Sequence, residues 1–276
     1  MKTKTAEDLG LDQLYHYQSF EQPERLARIF TDNTLYFSTP RHFNDPWDCR
    51  PCFSKVGLDD PAEYERAVCW FAQSNRAVNA SLPEAEHLLR EREVRTNRKL
   101  LEWMIDELSA AMADAMQSRY RVYCLSTHPD SVLMWAHYAN SCRGVCLEFA
   151  ARNELISGAM RVEYFPNYPH FEVAATSDDA ELLAFLAKSD LWGYENEFRI
   201  IATEHPHVIR SMPTSQEGFV ALPAGALKSV IIGTQMPAAD RQVIRDLIEG
   251  AGKNIALHVA ELVRDRYAFK ISPFKP

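Results

Sequence analysis

The residues best placed for chemistry are two acids two positions apart, Glu195 and Glu197, in Trp192-Gly193-Tyr194-Glu195-Asn196-Glu197-Phe198-Arg199. Side chains on a strand repeat with period two, so both carboxylates point to one face. In a cleft, one can stabilise a developing positive charge while the other orients or deprotonates an incoming nucleophile. The same spacing suits the exposed face of an amphipathic edge strand, and both readings stay open here. Three other blocks set polar residues among aromatics. They are Tyr15-His16-Tyr17; Tyr36-Phe37-Ser38-Thr39 leading to Asn44-Asp45-Pro46; and Ser131 to Tyr138 followed by Arg143 to Phe149. His16 alternates with two tyrosines and so faces away from them. Tyr15, Tyr17, Tyr36 and Phe37 suit a core as well as a binding platform. His137 and Tyr138 fall on a helix anchored by Trp135, where His137 is either a core histidine or a cleft residue. Asn44 and Asp45 are turn formers before Pro46, and Asp48, from the same loop, is a candidate to pair with Arg199 of the last block across the cleft.

Several common signatures are missing from the sequence. It has no G-x-x-x-x-G-K or G-x-G-x-x-G phosphate loop, no G-x-S-x-G and no H-E-x-x-H. Of six cysteines, Cys49 and Cys52 form a C-x-x-C, while Cys142 and Cys146 lie four apart. That spacing allows a four-thiolate zinc site on paper. Cys124 and Cys146 sit in apolar runs, where a buried thiol is the ordinary reading, so no metal site is expected.

The elements that must position these residues follow from periodicity. Leu14–Tyr17 reads as a strand, and Pro23 opens a helix with Leu26, Ile29 and Phe30 on one side. Leu35–Thr39 reads as a strand stopped by Pro40, and residues 43–48 as a loop. Residues 61–117 are helical, with an apolar stripe of Leu101, Met104, Ile105, Leu108 and Met112 and a charged stretch from Glu84 to Lys99 that reads as a solvated face. Strands follow at 121–127, 144–149, 161–164, 197–203, 219–222, 229–233, 255–259 and 267–271. Helices are expected from near Ser131, over 178–189 and over 238–251, the last with Val243, Ile244, Leu247 and Ile248 inward. The pattern gives an α+β fold: one domain over residues 1–276 with a helical insertion at 61–117.

The chain has 276 residues, 46% hydrophobic, and a net charge of −8. That length supports a full core without disulfides, and that charge argues against a broadly basic nucleic-acid binder. The polar N-terminus and the lack of any apolar run of about 18 residues lead us to expect a cytoplasmic protein that does not enter a membrane.

The four blocks resemble the family known as domain of unknown function 2971. Its members carry an L-Y-(K/H)-Y strand, an F-N-D-P-(F/W)-D loop, M-W-(S/A)-H-Y-A before G-V-C-(L/I)-E-F, and W-x-Y-E-x-E-(W/F)-R. The order of polar residues is more distantly similar to the ADP-ribosyltransferase superfamily. This second resemblance implies a mixed, split sheet that holds NAD, the substrate, in a cleft. It implies that His16 contacts NAD, that Ser38 and Thr39 order the cleft, that Tyr36 stacks on nicotinamide and that Glu197 is the catalytic glutamate, with Glu195 beside it. Tyr15, Asn44, His137, Tyr138 and Arg199, from the same blocks, complete the expected cofactor-binding set. Cleavage of the nicotinamide glycosidic bond builds oxocarbenium charge on the ribose, which a neighbouring carboxylate stabilises more than it stabilises the ground state.

The first functional reading is therefore an NAD-cleaving, ADP-ribosyltransferase-like enzyme. It would be a toxin or phage-defence effector modifying a protein or nucleic acid, with the 61–117 insertion as a surface for an acceptor or partner protein. The alternative is a non-enzymatic ligand-sensing or interaction module of a bacterial defence or regulatory system. A third reading is a hydrolase using His137, or a metal nuclease built on Asp45, Asp48, Glu148 and Glu195.

Overall fold

The computed structural model describes residues 3–173, 178–204, 212–252 and 254–275. Its first strand, Gln13–Gln18 (β1), leads to helix Pro23–Thr31 (α1), strand Thr34–Tyr36 (β2) and the short strand Cys52–Phe53 (β3). Three helices follow: Pro61–Val78 (α2), Glu84–Thr96 (α3) and Arg98–Arg119 (α4). Strand Tyr120–Ser126 (β4), helix Val132–Tyr138 (α5) and strand Val145–Ala150 (β5) come next. Short strands Met160–Arg161 (β6), Glu163–Phe165 (β7) and His170–Phe171 (β8) precede helix Asp178–Leu186 (α6), strand Ala187–Ser189 (β9) and strand Glu197–Thr203 (β10). The chain closes with Phe219–Ala221 (β11), Leu227–Ile232 (β12), helix Ala238–Gly250 (α7), Ala256–Leu262 (β13) and Phe269–Pro273 (β14).

The α+β class is observed. Eight strands join in the order β14-β13-β12-β5-β1-β4-β10-β6. The sheet is mixed, because β12 and β13, joined through α7, run parallel while the other pairs are antiparallel. Alternation along β1 decides what each face buries. Leu14 packs with Leu26, Phe30, Phe149 and Ile244 against α1 and α7. Tyr15 and Tyr17 pack with Trp135 and Cys146 under α5. Trp135 is fully buried and its indole N–H donates to Pro129 O at 2.8 Å, so one residue both anchors α5 and satisfies its own polar atom.

The helices α2, α3 and α4 form their own apolar cluster, in which Val68 and Phe71 meet Val94, Leu101 and Ile105. Their charged faces are laced with ion pairs such as Arg95–Glu65 at 2.7 Å and Arg98–Glu102 at 2.7 Å. The stretch that reads as a solvated face is one. Such exposed pairs contribute roughly 0–1 kcal/mol each, so the apolar cluster holds this unit together.

One irregularity of the sheet opens a cavity. β1 pairs β5 along six residues and β4 pairs β10 along seven, but β1 and β4 share the single pair Tyr15↔Ser126. Continuing that register would set Tyr17 opposite Cys124. Instead the strands part. The Cys124 carbonyl accepts from His16 Nδ1 at 2.7 Å, and Ser38 pairs both its backbone groups with Val122 at 3.1 and 2.8 Å. The stacked rings of His16, Tyr123 and Phe37, with centroids 4.1 and 5.1 Å apart along the stack, stand in the opening.

Several boundaries differ from expectation. The strand read over 35–39 ends at Tyr36, because Pro40 starts a 3-10 turn and Ser38 turns to β4. The single strand at 161–164 is two pieces that pair with different partners, β10 and β9. The helix at 178–189 stops at Leu186, and Ala187–Ser189 pairs with β7. Val243 is 42% exposed, while Ile244 is buried and Leu247 and Ile248 pack against the core as expected. Among the described residues, no helix is long and apolar enough to cross a membrane.

Candidate active site

A cavity of about 630 Å³ occupies the opening between β1 and β4. Because the strands part, it takes residues from both faces of the sheet: His16 and Tyr123 from one, Tyr15 and Tyr138 from the other. Ser38, Glu195 and Glu197 also line it, so the three positions expected to share a cleft, His16, Ser38 and Glu197, do share one.

The two glutamates converge by a route other than the expected one. Glu195 ends a 3-10 turn, Asp190–Glu195; Asn196 follows in the left-handed region at φ 44°; and Glu197 begins β10. A tight turn therefore aims both acids at Lys188, where a strand pleat was expected. Neither is an exposed edge residue: they are 2% and 3% exposed. Lys188 Nζ lies 2.5 Å from Glu195 Oε2, 2.9 Å from Glu197 Oε2 and 3.8 Å from Asp48 Oδ2. Behind it, Arg199 directs Nε to Glu197 Oε1 at 2.8 Å and Nη2 to Glu197 Oε2 at 2.9 Å. Its Nη1 and Nη2 reach the two Asp48 oxygens at 2.7 and 2.6 Å, and Nη1 also donates to Phe185 O at 2.6 Å. The five donors of the guanidinium are thus satisfied.

Arg199, expected in the cofactor-binding set, accordingly does not line the cavity. It is wholly buried and spends its donors on the protein, holding Glu197 and Asp48 in place. The expected Asp48–Arg199 pair is present. Thr39 also leaves the expected set, because its hydroxyl pairs with His42 Nδ1 at 3.1 Å and it does not line the cavity. Tyr36 does line it, but Arg25 lies across the ring 4.0 Å from its centroid, so that face is covered by a cation and does not stand open for nicotinamide. His137 is exposed at the mouth, with the rings of Trp192 and Tyr194 each 6.3 Å away, and is not a core histidine. Asn44 and Tyr138 belong together: Asn44 Nδ2 donates to the Tyr138 hydroxyl at 3.2 Å, and that hydroxyl donates to Glu195 Oε1 at 2.5 Å. Asp45 is the turn former expected, accepting from Trp47 N at 2.9 Å.

The electrostatics separate the two acids. Burial alone would raise Glu197, but the charges of Arg199 and Lys188 outweigh it and hold its carboxyl far below the usual range. Glu195 goes the other way: burial and then the Glu197 charge raise it, against the opposing effects of Lys188 and Tyr138. With all groups ionised, the cations Arg199 and Lys188 face the carboxylates of Asp48, Glu195 and Glu197. One negative charge is left over at the wall of the cavity, and Glu195 is the least compensated of the three.

His16 is set by its bond to Cys124. A carbonyl only accepts, so Nδ1 carries the proton and Nε2 is the unprotonated nitrogen. Burial pushes the imidazole down to about 4, against a smaller opposite effect of that bond. The folded state therefore holds fewer protons than the unfolded one between about pH 4 and the ordinary histidine range near 6.5, and stability falls as pH drops through that window. We expect His16→Asn, which keeps an N–H donor near Nδ1, to remove up to about 3 kcal/mol of this acid-side loss. Urea unfolding at pH 7 and pH 4.5 measures it, and an unchanged pH dependence in the variant would refute it.

Sequence reasoning did not find Lys188, because it sits in what reads as a continuous helix. It also missed Tyr164, whose hydroxyl accepts from Glu197 N at 2.9 Å, and Arg25. Among the described residues, no group of three or more His, Cys, Asp or Glu could hold a metal ion, and the four cysteines considered for zinc do not come together. Glu148 accepts from the Ser229 hydroxyl and does not line the cavity, so the set expected of a metal nuclease is not assembled. Compared with protein-family models, curated proteins and solved structures, the chain matches none.

Proposed function

We propose that the cavity binds NAD and that the protein cleaves its nicotinamide glycosidic bond, as an ADP-ribosyltransferase-like enzyme of the kind that the four sequence blocks resemble. The observation that carries this reading is the one negative charge by which Asp48, Glu195 and Glu197 together exceed Lys188 and Arg199, buried in the wall of a cavity that also takes His16, Tyr36 and Ser38. A cavity of this size lies within the roughly 300–1,000 Å³ of cofactor sites. A fixed carboxylate in a water-poor wall stabilises an oxocarbenium more than it stabilises neutral ribose, and needs no rearrangement as the charge develops. Glu197, permanently ionised, supplies that charge. Glu195, whose proton affinity is raised by burial and by the Glu197 charge, accepts the proton of the 2′-hydroxyl or of the incoming nucleophile. The opening between β1 and β4 supports this reading, because a split sheet is what the resemblance implies. In this reading, an acceptor protein or nucleic acid, in a toxin or defence setting, takes the ADP-ribosyl group.

The test is release of free nicotinamide from NAD, wild type against Glu197→Gln, with NAD affinity measured in parallel as the check that the cavity survives. We expect release to fall at least about 100-fold while affinity changes a few-fold. Negligible release by both proteins would overturn the catalytic reading. Tight NAD binding without release would favour a ligand-sensing module.

A further inference from the structure

Two Arg or Lys side chains line the main cavity, and they differ in how they are engaged. Lys188 is committed to carboxylates. Arg25, on α1, has no carboxylate within ion-pair distance among the described residues. It is nevertheless held in place. Its guanidinium lies over the Tyr36 ring at 4.0 Å, and Tyr36 is paired across strands with Phe219, the two rings meeting edge to face at 5.3 Å. One helical turn on, Arg28 lies over Phe219 at 4.2 Å, so the aromatic pair supports two arginines of one helix. Gly218 closes around the platform: a Cβ there would come 3.0 Å from Tyr36 Cε2. A guanidinium stacked on an aromatic ring keeps its in-plane N–H donors free, in a fixed fork suited to two oxygens of one anion. Beside it, Gln18, Ser19 and Gln22 line the same cavity together with Glu21, whose carboxylate accepts from Asn140 Nδ2 at 3.2 Å and makes no ion pair with Arg25 among the described residues.

We infer that Arg25, on its Tyr36 support, forms an anion subsite of the cavity that takes the diphosphate of the dinucleotide. This deepens the proposed NAD reading and rests on it. The cavity then carries both signs of charge: surplus carboxylate for the cationic nicotinamide ring and the developing oxocarbenium, and an uncompensated guanidinium for the diphosphate. Tyr36 becomes a positioning residue that acts through Arg25.

Calorimetric titration of wild type, Arg25→Gln and Arg25→Lys with NAD, nicotinamide riboside and inorganic pyrophosphate tests this. Arg25→Gln should weaken NAD and pyrophosphate roughly 10- to 100-fold and leave nicotinamide riboside, which has no phosphate, within about twofold. Arg25→Lys should recover part of the loss, because the charge returns without the fork. Equal NAD affinity in Arg25→Gln and wild type would overturn the subsite, while nicotinamide release by wild type would leave the cleavage reading standing. Arg25-dependent binding of pyrophosphate without nicotinamide release would do the reverse. Binding of neither NAD nor pyrophosphate by wild type would overturn both.

Discussion

Asp48→Ala should cost the folded state about 3–5 kcal/mol, read as a fall in the urea midpoint and melting temperature. Asp48 is 3% exposed and Arg199 is not exposed at all, and the two are joined by paired bonds of 2.6 and 2.7 Å. Removing the aspartate leaves a guanidinium buried with Glu197 as its remaining carboxylate, and its charge cannot be shed because arginine stays protonated in proteins. The cost is the desolvation of a charge whose partner is gone, which is larger than the net worth of the pair. That distinction can be measured. The double variant Asp48→Leu with Arg199→Met removes both charges, and it should be less destabilised than Asp48→Ala despite carrying two changes. Equal or greater loss in the double variant would show that the attraction of Arg199 to its carboxylates, Glu197 included, stabilises the fold. Exposed pairs such as Arg98–Glu102 provide the contrast, since their removal should change stability by less than about 1 kcal/mol.

The same cluster explains what the sequence did and did not disclose. Periodicity placed β10 at 197–203 and helix α5 from Ser131, because each is a long run with one dominant spacing. The Asp48–Arg199 pair was anticipated only because both residues stand in blocks that resemble one family, and the structure forms it. Lys188 was hidden for the opposite reason. It follows directly on α6, and only pairing with β7, which lies more than twenty residues earlier, pulls Ala187–Ser189 out of the helix and turns the lysine toward the glutamates. The convergence of Glu195 and Glu197 was legible as spacing but not as mechanism. A left-handed Asn196 between them leaves no local trace, since asparagine is tolerated there without being required. Likewise, the parting of β1 and β4 depends on Ser38 and His16 capturing the edge of β4, contacts that span dozens of residues or more.

The second large effect lies in the pH dependence of nicotinamide release. If Glu195 is the base, activity requires it deprotonated, so the rate should fall on the acid side of its raised pKa, while Glu197, held far below the usual range, contributes no limb in the working window. Glu195→Gln should lower kcat by about 100-fold or more and flatten that limb. A second variant keeps the carboxylate. Tyr138→Phe removes the hydroxyl that donates to Glu195 Oε1, a bond that favours the ionised form. Its loss raises the pKa of Glu195 further and moves the acid limb to higher pH, with kcat on the alkaline plateau little changed. Lys188→Met should move the limb the same way and further, because it removes the cation 2.5 Å from Glu195. A residue that only shaped the cavity would lower activity at every pH alike. An acid limb that stays in place in both Tyr138→Phe and Lys188→Met would therefore exclude Glu195 as the titrating base.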